Sequence, residues 1–167
     1  MIQRIQTIYL LLAFICMVLL LVFPIFTISV EGSGIDTING EFGAYGIITD
    51  GSDSGRFPMY IIFVILALLS ASGILLFKNR KKQLVLTRLN FIAHVLTIIA
   101  IYSVYYLGRG ALEEGLADKA EVATNISVNF GMGIGFFLLI PAGVFVFLAI
   151  RGIKTDIKLV SLTDRLR

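Results

Sequence analysis

His94 is the one ionisable side chain that lies well inside a long apolar stretch of this sequence. An ionisable residue exposed to lipid is costly, so an intramembrane histidine is a candidate functional residue by default. A proton relay normally needs further titratable groups. The sequence has four long apolar stretches, and no Asp, Glu, Lys or Arg lies within the three that do not contain His94. The pattern favours a neutral histidine hydrogen-bonded to a neighbouring helix, with Ser70, Ser72 and Thr97 as polar neighbours by type. A substrate path that uses His94 is the alternative.

Other reactive residue types do not form a recognisable site. Asp36, Glu41, Asp50 and Asp53 are a candidate cation-binding cluster, but their order does not match an EF-hand loop, and a solvated acidic loop is favoured. Cys16 is the only cysteine, so it cannot form an internal disulfide and is expected to be a small packing residue. The sequence therefore predicts no catalytic residue, no metal site and no cofactor.

The elements that must position these residues are long apolar stretches. Hydrophobic residues make up 57% of the chain and charged residues only 15%, whereas a soluble domain has about 25% charged residues. A helix needs about 20 mainly apolar residues to cross the hydrocarbon layer. Four stretches qualify: 5–26, 57–77, 89–107 and 128–150. We predict one all-α membrane domain over residues 1–167, built as a bundle of four transmembrane helices.

The distribution of basic residues predicts the orientation of the spans. Eleven of the 14 lie in the amino-terminal tail, in the segment 78–88 or in the tail 151–167. The segments 27–56 and 108–127 hold three basic residues and nine acids. Because Lys and Arg beside apolar spans stay in the cytoplasm, both termini are predicted inside and the two acidic segments outside. The net charge of +3 then indicates a membrane and not a nucleic acid.

Four basic residues between the second and third spans are candidate contacts for lipid or for a partner. They are Lys78, Arg80, Lys81 and Lys82. We expect them to anchor the helices and to attract anionic lipid headgroups, at about 1 kcal/mol per basic residue near the surface. A docking site for an acidic partner is the alternative.

Small residues predict where the helices pack closely. Gly131 and Gly135 have the small-xxx-small spacing that would place both on one face of the fourth helix. Ser70 and Gly73 offer a complementary small patch on the second helix. Internal packing is favoured, with a homo-oligomer or a membrane-protein partner as the alternative. Pro141 is predicted to kink the fourth helix.

The first external segment is predicted to form β-structure. Residues 26–30 alternate in the manner of a strand, and Asn39-Gly40 is a strong signal for a two-residue hairpin turn. Residues 44–49 predict a further short strand, and residues 50–55 a polar return loop.

The second external segment is predicted to be helical in part. Residues 111–121 are rich in helix formers and predict a short helix near the membrane surface, broken or kinked at Gly115. Tyr102, Tyr105 and Tyr106, at the end of the third span, are typical of an outer aromatic belt.

Both ends of the chain resemble a known family. Residues 1–13, MIQRIQTIYLLLA, are similar to the start of the small bacterial membrane proteins grouped as domain of unknown function family 4293. The segments AIRGI (149–153), KLV (158–160) and DRLR (164–167) are similar to that family's usual ending. The resemblance covers the whole chain and implies a four-span inner-membrane protein of the kind found mainly in Bacteroidota. It implies no catalytic residue, because the family has no assigned activity.

The layout also resembles that of claudin and tetraspan proteins, which have four spans, a larger β-forming first external segment and a smaller second one. The tryptophan and paired external cysteines of the claudin signature are missing, since the chain has no Trp and no cysteine besides Cys16. The likeness is one of architecture, and no function is transferred on it.

Together these features predict a non-enzymatic protein of the inner (plasma) membrane that acts through binding. The leading hypothesis is a self-associating scaffold or an accessory subunit of an envelope complex. Its predicted partners are the lipid bilayer, anionic lipid headgroups, and a membrane protein or a second copy of the chain. The alternative is a small transporter or channel-like component with a polar site near His94, although spans without internal charge make a poor ion path.

Overall fold

The computed structural model describes residues 2–32, 35–49, 52–55, 58–117 and 126–165. These residues form a mostly helical fold with one small antiparallel sheet. The helices are α1 (Ile2–Leu19), α2 (Tyr60–Leu75), α3 (Arg80–Ala117) and α4 (Ile134–Arg165), and a 3₁₀ turn, Leu76–Lys78, follows α2. The strands are β1 (Phe26–Gly32), β2 (Ile35–Gly43), β3 (Gly46–Thr49), β4 (Ser52–Gly55) and β5 (Ile126–Met132).

The four helices pack side by side. α1 packs mainly on α2 and α4, and α3 packs on the same two helices, so α1 and α3 occupy opposite corners. Apolar side chains such as Met17, Phe63, Ile101 and Leu139 are buried between them. In the described part of the chain, three helical segments are long and apolar enough to cross a membrane: Tyr60–Lys78, Arg80–Gly110 and Ile134–Leu162. The apolar segment of α1, Ile5–Leu19, is shorter.

α1 ends at Leu19, well before the end of the predicted span 5–26. Pro24 lacks a backbone N–H and disfavours helical backbone in the residue before it. The amide of Val22 donates to the Leu19 carbonyl at 3.0 Å, so the last turn tightens as helix ends often do. The chain then enters β1 after only a short turn.

The segment 78–88, predicted to lie between the second and third spans, is mostly helical. Only Asn79 separates the 3₁₀ turn from α3. Asn79 caps the helix, because its Oδ1 accepts the amide of Lys82 at 3.3 Å and its carbonyl accepts the amide of Gln83 at 2.9 Å. α3 begins at Arg80 because the charged residues that follow Asn79 are good helix formers.

Two helices also extend beyond the predicted spans. α4 continues through most of the predicted tail 151–167. α3 includes residues 111–117, so the separate surface helix predicted over 111–121 is wrong for that part, and residues 118–121 lie outside the described residues. Gly115 does not end the helix, because one glycine costs only about 1 kcal/mol in a run of helix formers.

The sheet has the order β4-β3-β2-β1-β5, and its neighbouring strands are antiparallel. The β-structure predicted between the first two long helices is therefore confirmed. It is larger than expected, because residues 52–55 of the predicted return loop form β4 and a distant segment adds β5.

The hairpin turn predicted at Asn39-Gly40 is wrong. Gly40 lies inside β2 and pairs with Ile28 of β1 on one side and Thr49 of β3 on the other. The turn falls instead just before Gly46, whose φ of 114° suits a glycine. Pairing on both edges of β2 outweighs the local turn preference of Asn-Gly.

The fourth helix begins later than the predicted span 128–150, because residues 126–132 form β5. β5 pairs with β1 along its whole length. Gly131 therefore lies in a strand while Gly135 lies in α4, so the prediction that they share one helix face is wrong. The alternation of apolar and polar residues over 126–130 is the signal of a strand that the apolar content had obscured.

Candidate functional site

Five polar side chains of α3 form a buried stripe, called the polar seam. They are Gln83, Thr87, Asn90, His94 and Thr97, and each is at most 7% exposed. Their spacings alternate between four and three residues, which places all five on one helix face. The other faces of α3 carry exposed apolar side chains, among them Leu89, Ile92, Leu96 and Ile99. α3 therefore turns its polar face inward and its apolar faces outward.

His94 is held against the first turns of α4. Its Nε2 lies 2.9 Å from the Leu139 carbonyl oxygen, which fits a ring N–H that donates to that oxygen. The side chain is 1% exposed. A bond to a neighbouring helix is what the sequence favours for a neutral histidine, but the acceptor is backbone and not one of the serines or threonines considered as neighbours.

Gly143 provides the space that His94 occupies on α4. Leu139 and Gly143 are one helical turn apart and so share a face. A β-carbon at position 143 would meet His94 Cδ2 at 3.0 Å, a very tight contact. Sequence reasoning missed Gly143. The available signal was a glycine inside an apolar helix, which is destabilising unless another group uses the space.

The rest of the polar seam joins α3 to α2. Asn90 Nδ2 donates to Ser70 Oγ at 2.8 Å, and Gln83 Nε2 donates to the Gly73 carbonyl at 2.9 Å. A β-carbon on Gly73 would meet Leu10 Cδ1 of α1 at 3.3 Å. Ser70 and Gly73, predicted as packing residues, thus lie where α2 contacts α1 and α3.

Gly131 and Gly135, the other predicted packing residues, do not meet this patch on α2. Gly131 lies against Thr27 of β1, and a β-carbon at Gly135 would come within 2.8 Å of the Pro24 carbonyl oxygen. Together with Gly133, these glycines allow the start of α4 to approach the backbone between α1 and β1. The small residues of α2 and the glycines at the junction of β5 and α4 therefore serve two separate contacts.

Two buried polar atoms inside the packed helices have no hydrogen-bond partner among the described residues: Gln6 Nε2 and Asn90 Oδ1. Gln6 of α1 is 2% exposed and lies against Gly152 of α4, where a β-carbon would meet its Cγ at 2.7 Å. Buried polar atoms without a partner are uncommon in native proteins. The Gln6 amide nitrogen on α1 and the Asn90 amide oxygen on α3 can therefore each still form a hydrogen bond.

The predicted basic residues gather at the junction of α2 and α3, at the end of the helices away from the sheet. Arg80 Nε lies 3.9 Å from Asp156 Oδ2 of α4. A groove between this junction and α4, called the basic groove, is lined by Lys78, Asn79, Arg80, Lys81, Ile157, Val160 and Ser161. Lys82 is exposed on the same helical turn but does not line the groove.

Aromatic side chains fix the sheet to the other end of the helices. Phe26 of β1 is 4% exposed, and its ring centre lies 5.0 Å from that of Tyr105 and 5.9 Å from that of Phe42. Rings at these separations attract one another. Of the predicted aromatic belt, Tyr102 and Tyr106 are exposed, whereas Tyr105 belongs to this junction.

The sheet has an apolar face toward α3 and a polar face away from it. Side chains alternate along a strand, so Phe26 and Ile28 lie on one side of β1, and Thr27 and Ser29 on the other. The mostly polar side, called the outer face, continues by strand register onto the neighbouring strands. It carries Thr27, Ser29, Asn39, Glu41 and Asn129, with the exposed Ile48 of β3 beside Glu41. The outer face is therefore a mostly polar surface, and the opposite face of the sheet packs against α3.

The structure brings no metal site together within the residues it describes, where no three His, Cys, Asp or Glu side chains are grouped. Of the acidic cluster considered above, Glu41 is exposed on the outer face. For Asp36 and Asp53 the structure describes the backbone alone, and Asp50 lies outside the described residues. Cys16 is half-buried and packs against the apolar core.

The model of a family described as a domain of unknown function (DUF4293) matches residues 2–166, nearly the whole chain. No curated protein matches it.

Proposed function

We propose that this chain, which belongs to the DUF4293 family of domains of unknown function, is an integral membrane protein that acts through binding and not through catalysis. The match agrees with the resemblance of the chain ends and brings no activity with it. The role must therefore follow from the geometry of the helices and the sheet.

The surface of the helices supports a membrane location. The outward side of α1 is an apolar stripe, formed by Ile5, Ile8, Leu11, Ile15 and Val18, while Gln6 is buried. α3 has the same arrangement, with the polar seam inside. Helices of soluble proteins have the reverse arrangement, with polar residues outward. A bilayer makes the outward apolar faces favourable and the outward exposure of the seam costly.

α1 is the fourth span in this proposal. Its 18 residues extend about 27 Å at 1.5 Å per residue, close to the about 30 Å of a hydrocarbon core. It packs along α2 and α4, which are both long enough to cross. Four spans would put both termini on one side, and the basic residues favour the cytoplasm for that side. The resemblance of the chain ends implies that the membrane is a bacterial inner membrane.

Cysteine labelling tests this topology. In a Cys16→Ala background, Asn129→Cys on the outer face should react with a membrane-impermeant maleimide in intact spheroplasts. Thr155→Cys, exposed near the other end of the helices, should react only after the membrane is opened. Labelling of Thr155→Cys alone in intact spheroplasts would contradict the orientation, and labelling of both positions there would contradict the proposal that α4 crosses the membrane between them.

The observation that carries the binding role is the rigid attachment of the sheet to the helices. The amide of Gly133 donates to the Ile25 carbonyl at 2.8 Å, and the amide of Gly135 donates to the Pro24 carbonyl at 2.9 Å. These bonds add to the aromatic junction around Phe26. The outer face is therefore held in a constant position relative to the helices, which lowers the ordering cost of binding a partner.

The proposed partner of the outer face is either another subunit of an envelope complex or a second copy of this chain. Purification of the tagged full-length chain from native membranes in mild detergent, followed by mass spectrometry, tests this proposal. Wild type should carry a stoichiometric companion or form a defined oligomer. Asn39→Arg/Asn129→Arg, which places two bulky cations on the outer face, should reduce that recovery about ten-fold or more, a loss of about 1.4 kcal/mol.

Thr155→Arg is the matched control, because it adds the same side chain at the opposite end of the helices. It should retain the companion at the wild-type level, and all variants should show the same far-UV circular dichroism. Equal loss in the control and in the outer-face variant would refute the assignment of the surface. A wild-type protein that is monomeric and has no companion would refute the binding role.

A further inference from the structure

We infer that the basic groove between the α2–α3 junction and the last turns of α4 binds the headgroup of an anionic phospholipid. This inference rests on the proposed membrane location and is independent of the proposed role of the outer face. It differs from a general attraction of basic residues to the membrane, because it assigns one bound lipid to a defined set of side chains.

The groove has two chemically different sides. Lys78, Arg80 and Lys81 supply three cations from the α2–α3 junction, and Ile157 and Val160 supply apolar surface from α4. A phospholipid has the complementary division, with a phosphate beside its acyl chains. A free phosphate would use the cationic side alone and would leave the apolar side without a function.

Arg80 is positioned by a buried neighbour. Asp156 is 8% exposed, and its Oδ2 lies 3.9 Å from Arg80 Nε. One carboxylate neutralises one of the three cations of the groove, so two positive charges remain for a ligand. A net positive groove of this kind attracts a monoanionic phosphodiester and gives no charge preference for a zwitterionic lipid.

The groove lies at the depth where headgroups are expected. α2 begins at Tyr60, and about 20 helical residues cross the hydrocarbon core, so its far end falls near Lys78. Around the groove, apolar side chains remain exposed, including Phe77 and Val160. Acyl chains would continue along these side chains while the phosphate meets the cations.

Lys81 and Lys82 form a matched pair for the test. Both are exposed at the start of α3, but only Lys81 lines the groove. Lys78→Gln, Lys81→Gln and Lys82→Gln each remove one charge from an exposed position, so the fold should be retained. If the whole basic surface attracts the lipid, lipid binding should weaken equally in all three variants. If the lipid binds in the groove, its binding should weaken in Lys78→Gln and Lys81→Gln only.

The test uses the full-length protein in detergent, with native mass spectrometry to count bound ligand. The probes are dihexanoyl phosphatidylglycerol, dihexanoyl phosphatidylcholine and inorganic phosphate. Wild type should bind phosphatidylglycerol in preference to the other two. Lys78→Gln and Lys81→Gln should each weaken that binding about five-fold, Val160→Ser should also weaken it, and Lys82→Gln should stay within about two-fold of wild type.

The opposite results are equally clear. If Lys82→Gln weakens binding as much as Lys81→Gln, the attraction is diffuse and the assigned site is wrong. If inorganic phosphate binds as tightly as phosphatidylglycerol and Val160→Ser has no effect, the groove is an anion site and not a lipid site. If phosphatidylcholine binds equally well, the charge argument fails. If the cysteine labelling gives the pattern expected for the proposed topology, any of these results would overturn only the lipid site and not the membrane location.

Discussion

Replacing Gly133 with valine is expected to lower the free energy of unfolding by about 3 kcal/mol. A β-carbon at this position would run into the carbonyl of Pro24 and come within 3.2 Å of the Ile25 carbonyl carbon. Both contacts are with backbone atoms, which cannot move away as the end of a flexible side chain could. The Ile25 amide also donates to the Phe42 carbonyl at 2.8 Å, which ties the same segment to β2. The new side chain must therefore push α4 and the sheet apart.

Gly110→Val is the matched control for this substitution. Gly110 lies in α3, and a β-carbon there would meet nothing within 4 Å. Valine and glycine differ by only about 0.4 kcal/mol in helix propensity, so the control should change stability by less than about 0.5 kcal/mol. Unfolding in mixed micelles with increasing SDS, followed by far-UV circular dichroism, measures both variants. If Gly133→Val is as stable as the control, the backbone at this junction can move to accept a side chain, and the predicted loss of stability is wrong.

The glycines at this junction show what local sequence patterns leave undetermined. Gly131 and Gly135 match a helix-packing motif by spacing, yet the chain between them changes from strand to helix. The strand forms because residues 126–132 find β1, whose residues 26–32 lie far away in sequence. Spacing within one segment carries no information about such a partner. The three long apolar helices were easier to predict, because length and composition alone decide them.

The polar seam could have been found from the sequence. Gln83, Thr87, Asn90, His94 and Thr97 recur at alternating spacings of four and three, which is the pattern of one helix face. Treating the basic residues as the boundary of the span hid the first two of these positions, and His94 then looked isolated. Its actual neighbours could not have been predicted, because the Leu139 carbonyl and Gly143 offer no polar side chain to recognise.

The attachment of the sheet to the helices also could not be predicted from local sequence patterns. The alternation around Phe26 predicts a strand, but not that its ring meets Tyr105 from α3. The Asn-Gly pair predicts a turn only for an isolated hairpin. In this sheet the same residues lie in β2, which pairs on both sides. Long-range pairing therefore decided both the shape of the sheet and its fixed position on the helices.

Replacing His94 with alanine is expected to lower the free energy of unfolding by about 3 kcal/mol, because a large buried side chain and its hydrogen bond are lost together. Gly143→Ala alone should cost about 1 kcal/mol, since the new methyl group would press on His94 Cδ2 at 3.0 Å. In the double variant that methyl group fills part of the vacated space. The combined loss should therefore be smaller than the sum of the single losses by about 1 kcal/mol.

Gly110→Ala is the control partner for this cycle, because nothing lies within 4 Å of its added β-carbon, and its effect should simply add to that of His94→Ala. Additivity between His94 and Gly143 would contradict the proposed packing contact.

His94→Gln separates packing from transport. Glutamine keeps an amide that can donate to the Leu139 carbonyl but has no group that titrates near neutral pH. If His94 only packs, His94→Gln should recover most of the stability that His94→Ala loses, and proton or ion flux in proteoliposomes should not differ from that of empty vesicles for any variant. If His94 serves a transport path, wild type should show flux that His94→Gln abolishes although the protein stays folded. That second result would replace the binding role with transport, because stability would then be retained while the titratable group alone was lost.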